Sequence, residues 1–201
     1  MANAPVWPRI CWNLHMLRSL IRWVFVPPVT APRATLLIRI MAGAVFLSEG
    51  ILKFVYANQG VGRFTKLGMP LPEFTATFVG VLEIVGGLLL IFGLLTRAFA
   101  IAFIVEMIVA ILSTKISIYL GTSPLPLPAA PPKVGFWAVM HETRSDFAQL
   151  LTCAFLLAVG PGPWSLDALV QKRWGSSARS KASGTDPSRG IGVGTHVPAR
   201  S

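Results

Sequence analysis

The chain has 201 residues, 53% of them hydrophobic and 13% charged, with a mean hydropathy of +0.63 and a formal net charge of +10 from 18 Lys+Arg against 8 Asp+Glu. Soluble domains carry about 25% charged residues, so this composition excludes an ordinary water-soluble globule, and its apolar content excludes disorder for most of the chain. The basic residues lie mostly outside the apolar stretches, which is the distribution of membrane topology signals and not of a nucleic-acid-binding surface.

Residues 1–33 form a basic leader. Arg9, Arg18 and Arg22 interrupt any apolar signal-peptide core, and Pro27-Pro28 break the short run that follows. His15, Arg18, Ser19 and Arg22 recur at helical spacing opposite Leu14, Leu17, Ile21 and Val24. The spacing predicts an amphipathic helix lying in the headgroup region, with a basic leader lacking fixed structure as the alternative.

Four apolar spans are predicted next, against the ~20 residues needed to cross ~30 Å of hydrocarbon. They run from Thr35 to Val55, Phe74 to Leu95, Ala98 to Leu120, and, more weakly, Phe147 to Val159. The last needs its polar start at Glu142–Asp146, or the Leu166–Val170 stretch beyond the Gly160-Pro161-Gly162-Pro163 break, to reach across. The Thr96-Arg97 turn makes spans two and three antiparallel neighbours. Five prolines in 121–133 predict an extended outer loop, with Phe136 and Trp137 anchoring at the interface behind it.

The fold class expected is therefore an all-α integral membrane protein: a four-transmembrane-helix bundle (34–170), preceded by the amphipathic leader (1–33) and followed by a disordered basic tail (171–201). Eleven Lys/Arg flank the spans on one side and five on the other. That bias puts both termini in the cytoplasm of a multi-pass protein of the bacterial inner membrane.

Depth selects the candidate site. At ~1.5 Å per residue, Glu83 lies about 14 Å into span two and Glu106 about 12 Å into span three from the opposite end, both near the bilayer centre. Glu49 and Lys53 share a face one turn apart in the outer half of span one. Lys115 lies near the outer end of span three, and Glu142, Arg144 and Asp146 open span four. A carboxylate at bilayer depth costs about 2.5–3.5 kcal/mol, so these groups demand partners or a cavity. Glu49–Lys53 reads first as a self-sufficient i,i+4 pair. Glu83 and Glu106 have no opposite charge within a turn of their own helix and are read as proton-handling, catalytic residues. Glu49, Lys53, Lys115, Arg144 and Asp146 are read as substrate-binding. Arg39 is expected to snorkel to the headgroups without a special role. Gly43 and Gly50, and Gly80 and Gly87, fall seven apart and suit close helix approach, or a flat ring against the glycine face.

Other motifs fail. Ser145 stands four residues after His141, so His141-Glu142 forms no zinc helix. Gly60-Val61-Gly62 follows no strand, and no two histidines share a span to hold haem. Cys11 and Cys153 are too few and too distant for a redox pair or a metal site, so no metal cofactor is expected.

From Leu36 to Asp167 the sequence resembles the DoxX family of small bacterial membrane proteins. The resemblance rests on Leu37-Ile38-Arg39, Ser48-Glu49-Gly50 with Lys53-Phe54, Arg63-Phe64, Leu67-Gly68-Met69-Pro70, the Gly80–Gly87 stretch around Glu83, the Gly93–Arg97 turn, Lys115, Glu142–Asp146, and Gly160-Pro161-Gly162 with Ser165-Leu166-Asp167. It implies a four-helix membrane unit attached to redox complexes, similar to the DoxD membrane subunit of thiosulfate:quinone oxidoreductase, with relatives in thiol and oxidative-stress defence. It would make Glu49, Lys53, Glu83 and Lys115 the polar site residues; Glu106 is added from depth alone. The functional expectation is a subunit of a quinone-linked oxidoreductase, not active by itself. Quinone would lie between spans one, two and three, an anionic sulfur donor would be drawn to Lys53 and Lys115, and the partners would be the lipid bilayer, redox proteins or a second membrane subunit, and a further copy of the chain. The alternative is a non-catalytic membrane scaffold whose buried charges only hold the bundle together.

Overall fold

The computed structural model describes residues 7–129 and 131–173, with side chains from residue 16 onward. Among these residues the protein is all-α, with seven helices: α1 (Trp7–Phe25), α2 (Thr35–Val55), α3 (Val61–Lys66), α4 (Pro72–Phe92), α5 (Thr96–Leu120), α6 (Phe136–Val159) and α7 (166–173). The chain divides into two compact units after Ala168, and everything below concerns Met1–Ala168. The basic tail expected from residue 171 lies outside the described residues except for 171–173, which are helical.

Among the described residues three helices, not four, are long and apolar enough to cross a membrane: α2, α4 and α5, of 21, 21 and 25 residues. This corrects the four-transmembrane-helix bundle expected from the sequence. α6 has 24 residues, but His141, Glu142, Arg144 and Asp146 occupy its first turns, and each charge at depth would cost about 2.5–3.5 kcal/mol. The Leu166–Val170 stretch does not extend α6 either. Gly160, with φ +89°, ends that helix, and 166–173 is a separate one.

Local chemistry sets the helix boundaries. Pro72 begins α4, where a missing N–H costs nothing. Gly93 and Gly121, with φ +68° and +70°, close α4 and α5. Each end is sealed by the same bond pair: Leu94 N–H to Leu89 O with Gly93 N–H to Leu90 O, and Thr122 N–H to Ser117 O with Gly121 N–H to Ile118 O. These are Schellman ends, and only glycine adopts the left-handed turn they need without strain.

The helices pair as α2 with α4 and α5 with α6, whereas α4 and α5, neighbours in sequence, touch little. The glycine repeats explain the first pair. A Cβ on Gly43 would fall 2.5 Å from Gly87 O, and one on Gly50 would fall 2.8 Å from Gly80 O, so both repeats serve close backbone approach. Phe46 of α2 stacks on Phe103 of α5, with centroids 3.7 Å apart, and joins the two pairs. Outward faces stay apolar, with Val81, Val85 and Leu88 on α4 and Ile108 and Leu112 on α5 exposed.

One end of the molecule is a buried polar knot. Arg39, 1% exposed, donates to Pro161 O at 2.9 Å and to Trp164 O. Arg97 donates to Trp23 O and Ala158 O, both at 3.0 Å, and its guanidinium stands 4.1 Å over the Trp23 ring. Asp167 accepts from Leu95 N–H at 3.0 Å and from Thr96 N–H and Oγ1 at 3.3 Å, capping α5 from a distant segment. Arg39 therefore does not snorkel. The Gly-Pro break frees carbonyls that its fixed fork of donors satisfies.

Candidate functional site

α2, α4 and α5 bring their polar side chains to one pocket of about 630 Å³, roofed by α3 and closed on one side by α6. Its walls are largely apolar and aromatic, including Phe46, Phe64 and Phe78. Into them project Glu49, Lys53, Glu83, Glu106, Lys115 and Asp146, all residues singled out by depth or flanking position. Arg144 is not among the lining residues; it is exposed on α6 and donates to His141 O at 2.8 Å.

The charges are partnered across helices. Lys53 Nζ lies 2.6 Å from Glu83 Oε2, joining α2 to α4, and Glu83 is 2% exposed. This corrects the expectation that Lys53 pairs with Glu49 one turn away. The glycine crossing brings α4 close enough for a buried carboxylate to reach the ammonium, while Glu49 stays exposed at the rim. Lys115 Nζ lies 3.4 Å from Asp146 Oδ2, joining α5 to α6. Both lysines are thus committed to internal carboxylates. Arg63 of α3 is the lining cation without an ion pair among the described residues.

Glu106 is differently placed. Glu83 is one of its charged neighbours on the pocket wall. Lys53 and Glu49 are its other charged neighbours, and Glu106 Oε2 is buried without a hydrogen-bond partner. The result is a line of ionisable side chains, Lys53, Glu83 and Glu106, on the wall of a largely apolar pocket.

Sequence reasoning missed Arg63, Gln149 and the aromatic walls. Gln149 carried a usable signal, because it follows Asp146 at helical spacing on an otherwise apolar stretch of α6. Arg63 belongs to the Arg63-Phe64 pair of the family resemblance, but as a cation in a connecting segment it was read as a topology signal and not as a site residue.

An "Uncharacterized membrane protein Rv3486" of Mycobacterium tuberculosis (strain ATCC 25618 / H37Rv) is 40% identical over 176 residues, 85% of this chain and 91% of the relative. The DoxX family model matches residues 34–116. The chain belongs to the DoxX family. A second relative, the "Putative oxidoreductase CatD" of Bacillus subtilis (strain 168), is 30% identical over 138 residues, 69% of this chain and 87% of the relative. No solved structure matches the chain significantly. As a DoxX protein with these relatives it is a bacterial multi-pass membrane protein with a family-level link to oxidoreductases and a buried intramembrane charge cluster. The family match covers α2 to α5 and thus Glu49, Lys53, Glu83, Glu106 and Lys115, and it ends short of the Asp167 limit read from the sequence.

Proposed function

We propose that the protein is a membrane subunit of a quinone-linked oxidoreductase system acting on sulfur compounds or thiols, and that its pocket holds a quinone ring. The observation that carries this is the convergence of Glu83 and Glu106 on the wall of one largely apolar, aromatic pocket. A cavity of about 630 Å³ lies within the usual ligand range of about 300–1,000 Å³, and apolar walls with a few convergent polar groups suit a ring bearing two oxygens. The unpartnered Glu106 Oε2 gives such a ring a polar contact.

When bound, quinone supplies the two-electron redox chemistry. Glu106 would hold a ring oxygen and supply or take up a proton there, and Glu83, its charge balanced by Lys53, would relay that proton. Phe46, Phe64 and Phe78 exclude water, and Arg63 offers the cation that an anionic donor would meet. Redox partner proteins or a second membrane subunit deliver electrons. In this reading the protein sits in the bacterial inner membrane with residues 26–35 and 158–168 on the cytoplasmic side.

The second reading, a scaffold, is favoured by the internal Lys53–Glu83 and Lys115–Asp146 pairs, which satisfy four charges without a ligand. Solvent extraction of the purified protein, followed by mass spectrometry, separates the two. Near-stoichiometric quinone, displaced by added short-chain quinone, is the expected result. Absence of both retention and rebinding would leave the scaffold reading.

A further inference from the structure

We propose that the pocket opens sideways into the bilayer, through the seam between α4 and α5 on the side away from the Gly93–Arg97 turn. Its ligand is then a membrane-dissolved amphiphile, with a polar ring against the charged wall and an apolar tail leaving through the seam; the ring rests on the reading above. Near the turn the two helices are closed on each other. A Cβ on Gly86 would fall 2.6 Å from both Phe99 Cδ1 and Phe103 Cζ. At ~1.5 Å per residue, Gly86 and Phe103 lie about 10 Å from the turn. Farther out the helices line the pocket instead, with Phe78, Val79 and Leu82 on α4 and Val105, Val109 and Ala110 on α5. Phe78 stands about 21 Å and Val105 about 14 Å from the turn, inside the ~30 Å of hydrocarbon that such spans cross.

Helix register gives the opening its direction. Phe78 comes seven residues before Val85, and Val105 seven before Leu112, so each lies about 20° round its helix from a residue of the outward apolar row. Phe78 is 57% and Val105 56% exposed, yet both line the pocket. They form the lips of an opening that faces lipid. Glu83 lies about 140° round α4 from Phe78 and is held by Lys53 of α2, which puts that ion pair on the wall away from the seam. The roof is pinned down: Gly60 packs against Lys53 O, and a Cβ on Gly62 would fall 2.7 Å from Ala57 O. That sets Phe64 and Leu67 of the α3 segment over the cavity. A polar ligand loses its hydration on a route through hydrocarbon, whereas an apolar tail in the seam stays in its own solvent. A cavity of about 630 Å³ holds a drug-sized body, so a longer tail has to leave it.

Two measurements on the full-length protein test this. With Cys11 and Cys153 replaced by serine, a bimane on Ala110→Cys in vesicles should be quenched by dibrominated acyl chains nearly as well as one on Ile108→Cys, and little by aqueous iodide. Ser113→Cys repeats the reading from a second lining position. Quenching by iodide alone, or by neither, would overturn the opening, and so would a Phe78→Cys variant that cross-links one copy to another. In nanodiscs, Val105→Trp should weaken binding of decylubiquinone about tenfold and leave its tail-less parent ring within about twofold. Ile108→Trp, on the outward row but not in the pocket wall, should change neither. Equal loss for both rings, or no loss, would overturn the tail's exit. If neither ring binds to the wild-type protein while acyl chains still quench at Ala110, the ring-binding reading falls and the opening to lipid stands.

Discussion

Glu83 and Glu106 share a depth and a pocket but not a partner set, so the two carboxyls should respond differently to loss of charge. Glu83→Gln strands the Lys53 ammonium 2.6 Å away in a buried site, and breaking such a pair from one side costs about 3–5 kcal/mol. Melting in detergent should fall clearly, and adding Lys53→Met should recover part of the loss. Glu106 has no ion pair among the described residues, so Glu106→Gln should leave melting unchanged or raise it. If Glu106 exchanges the ring's proton, quinone-coupled turnover in membranes with the native partners should drop about 10²-fold in the same variant. A large melting loss in Glu106→Gln, with turnover tracking folded protein, would assign Glu106 to the scaffold. Glu49, exposed at the rim, should tolerate Gln with little effect on melting.

Between elements, the α2–α4 crossing is where small size matters most. A Cβ at Gly43 would lie 2.5 Å from Gly87 O and 2.6 Å from Ile91 Cγ1, and one at Gly87 would lie 2.7 Å from Gly43 O. Gly43→Val must push the helices apart, and overpacking of this kind costs about 1–3 kcal/mol. It should lower the melting temperature and weaken ligand binding, because the same crossing holds Lys53 against Glu83. Ala44→Val, one residue on and exposed, is the control and should melt like the wild type. The glycine periodicity in the sequence already separated this face from its neighbours. It could not choose between a helix and a ring as the occupant, and the Gly43–Gly87 and Gly50–Gly80 approaches are helix on helix.

For the molecule as a whole, α6 runs beside α5 from the Lys115–Asp146 pair to the Arg97–Ala158 bond and so returns the chain to the end where it entered. Residues 26–35 and 158–168 therefore lie at the same end of the bundle, which the Lys/Arg bias predicts to be the cytoplasmic one. With Cys11 and Cys153 replaced by serine, single cysteines at Asn58 and Thr122 should react with an impermeant maleimide in intact spheroplasts, and one at Thr30 should not. The opposite labelling would invert the protein. Truncation of residues 1–30 should cost more than the leader reading implies, since it removes the Trp23 carbonyl and ring that Arg97 grips. A melting temperature equal to the full chain's would show that this grip adds nothing.

Composition and periodicity alone determined the membrane class, the three strongest spans, the places of Glu83 and Glu106 along their helices, and the small faces of α2 and α4. Each of these is a property of a residue's place on its own helix. Helix rise and apolar length carry that information without reference to a second element. The tertiary structure alone decided that Lys53 belongs to Glu83 and not Glu49, that Arg39 is buried under the 160–167 segment, and that Gln149 enters the pocket while Arg144 does not. It also set α6 against α5 as a polar-ended buttress and not a fourth apolar span. The reason is common to all of them: a side chain's partner depends on the rotation and crossing of a different helix, and no pattern along one helix encodes what another presents to it.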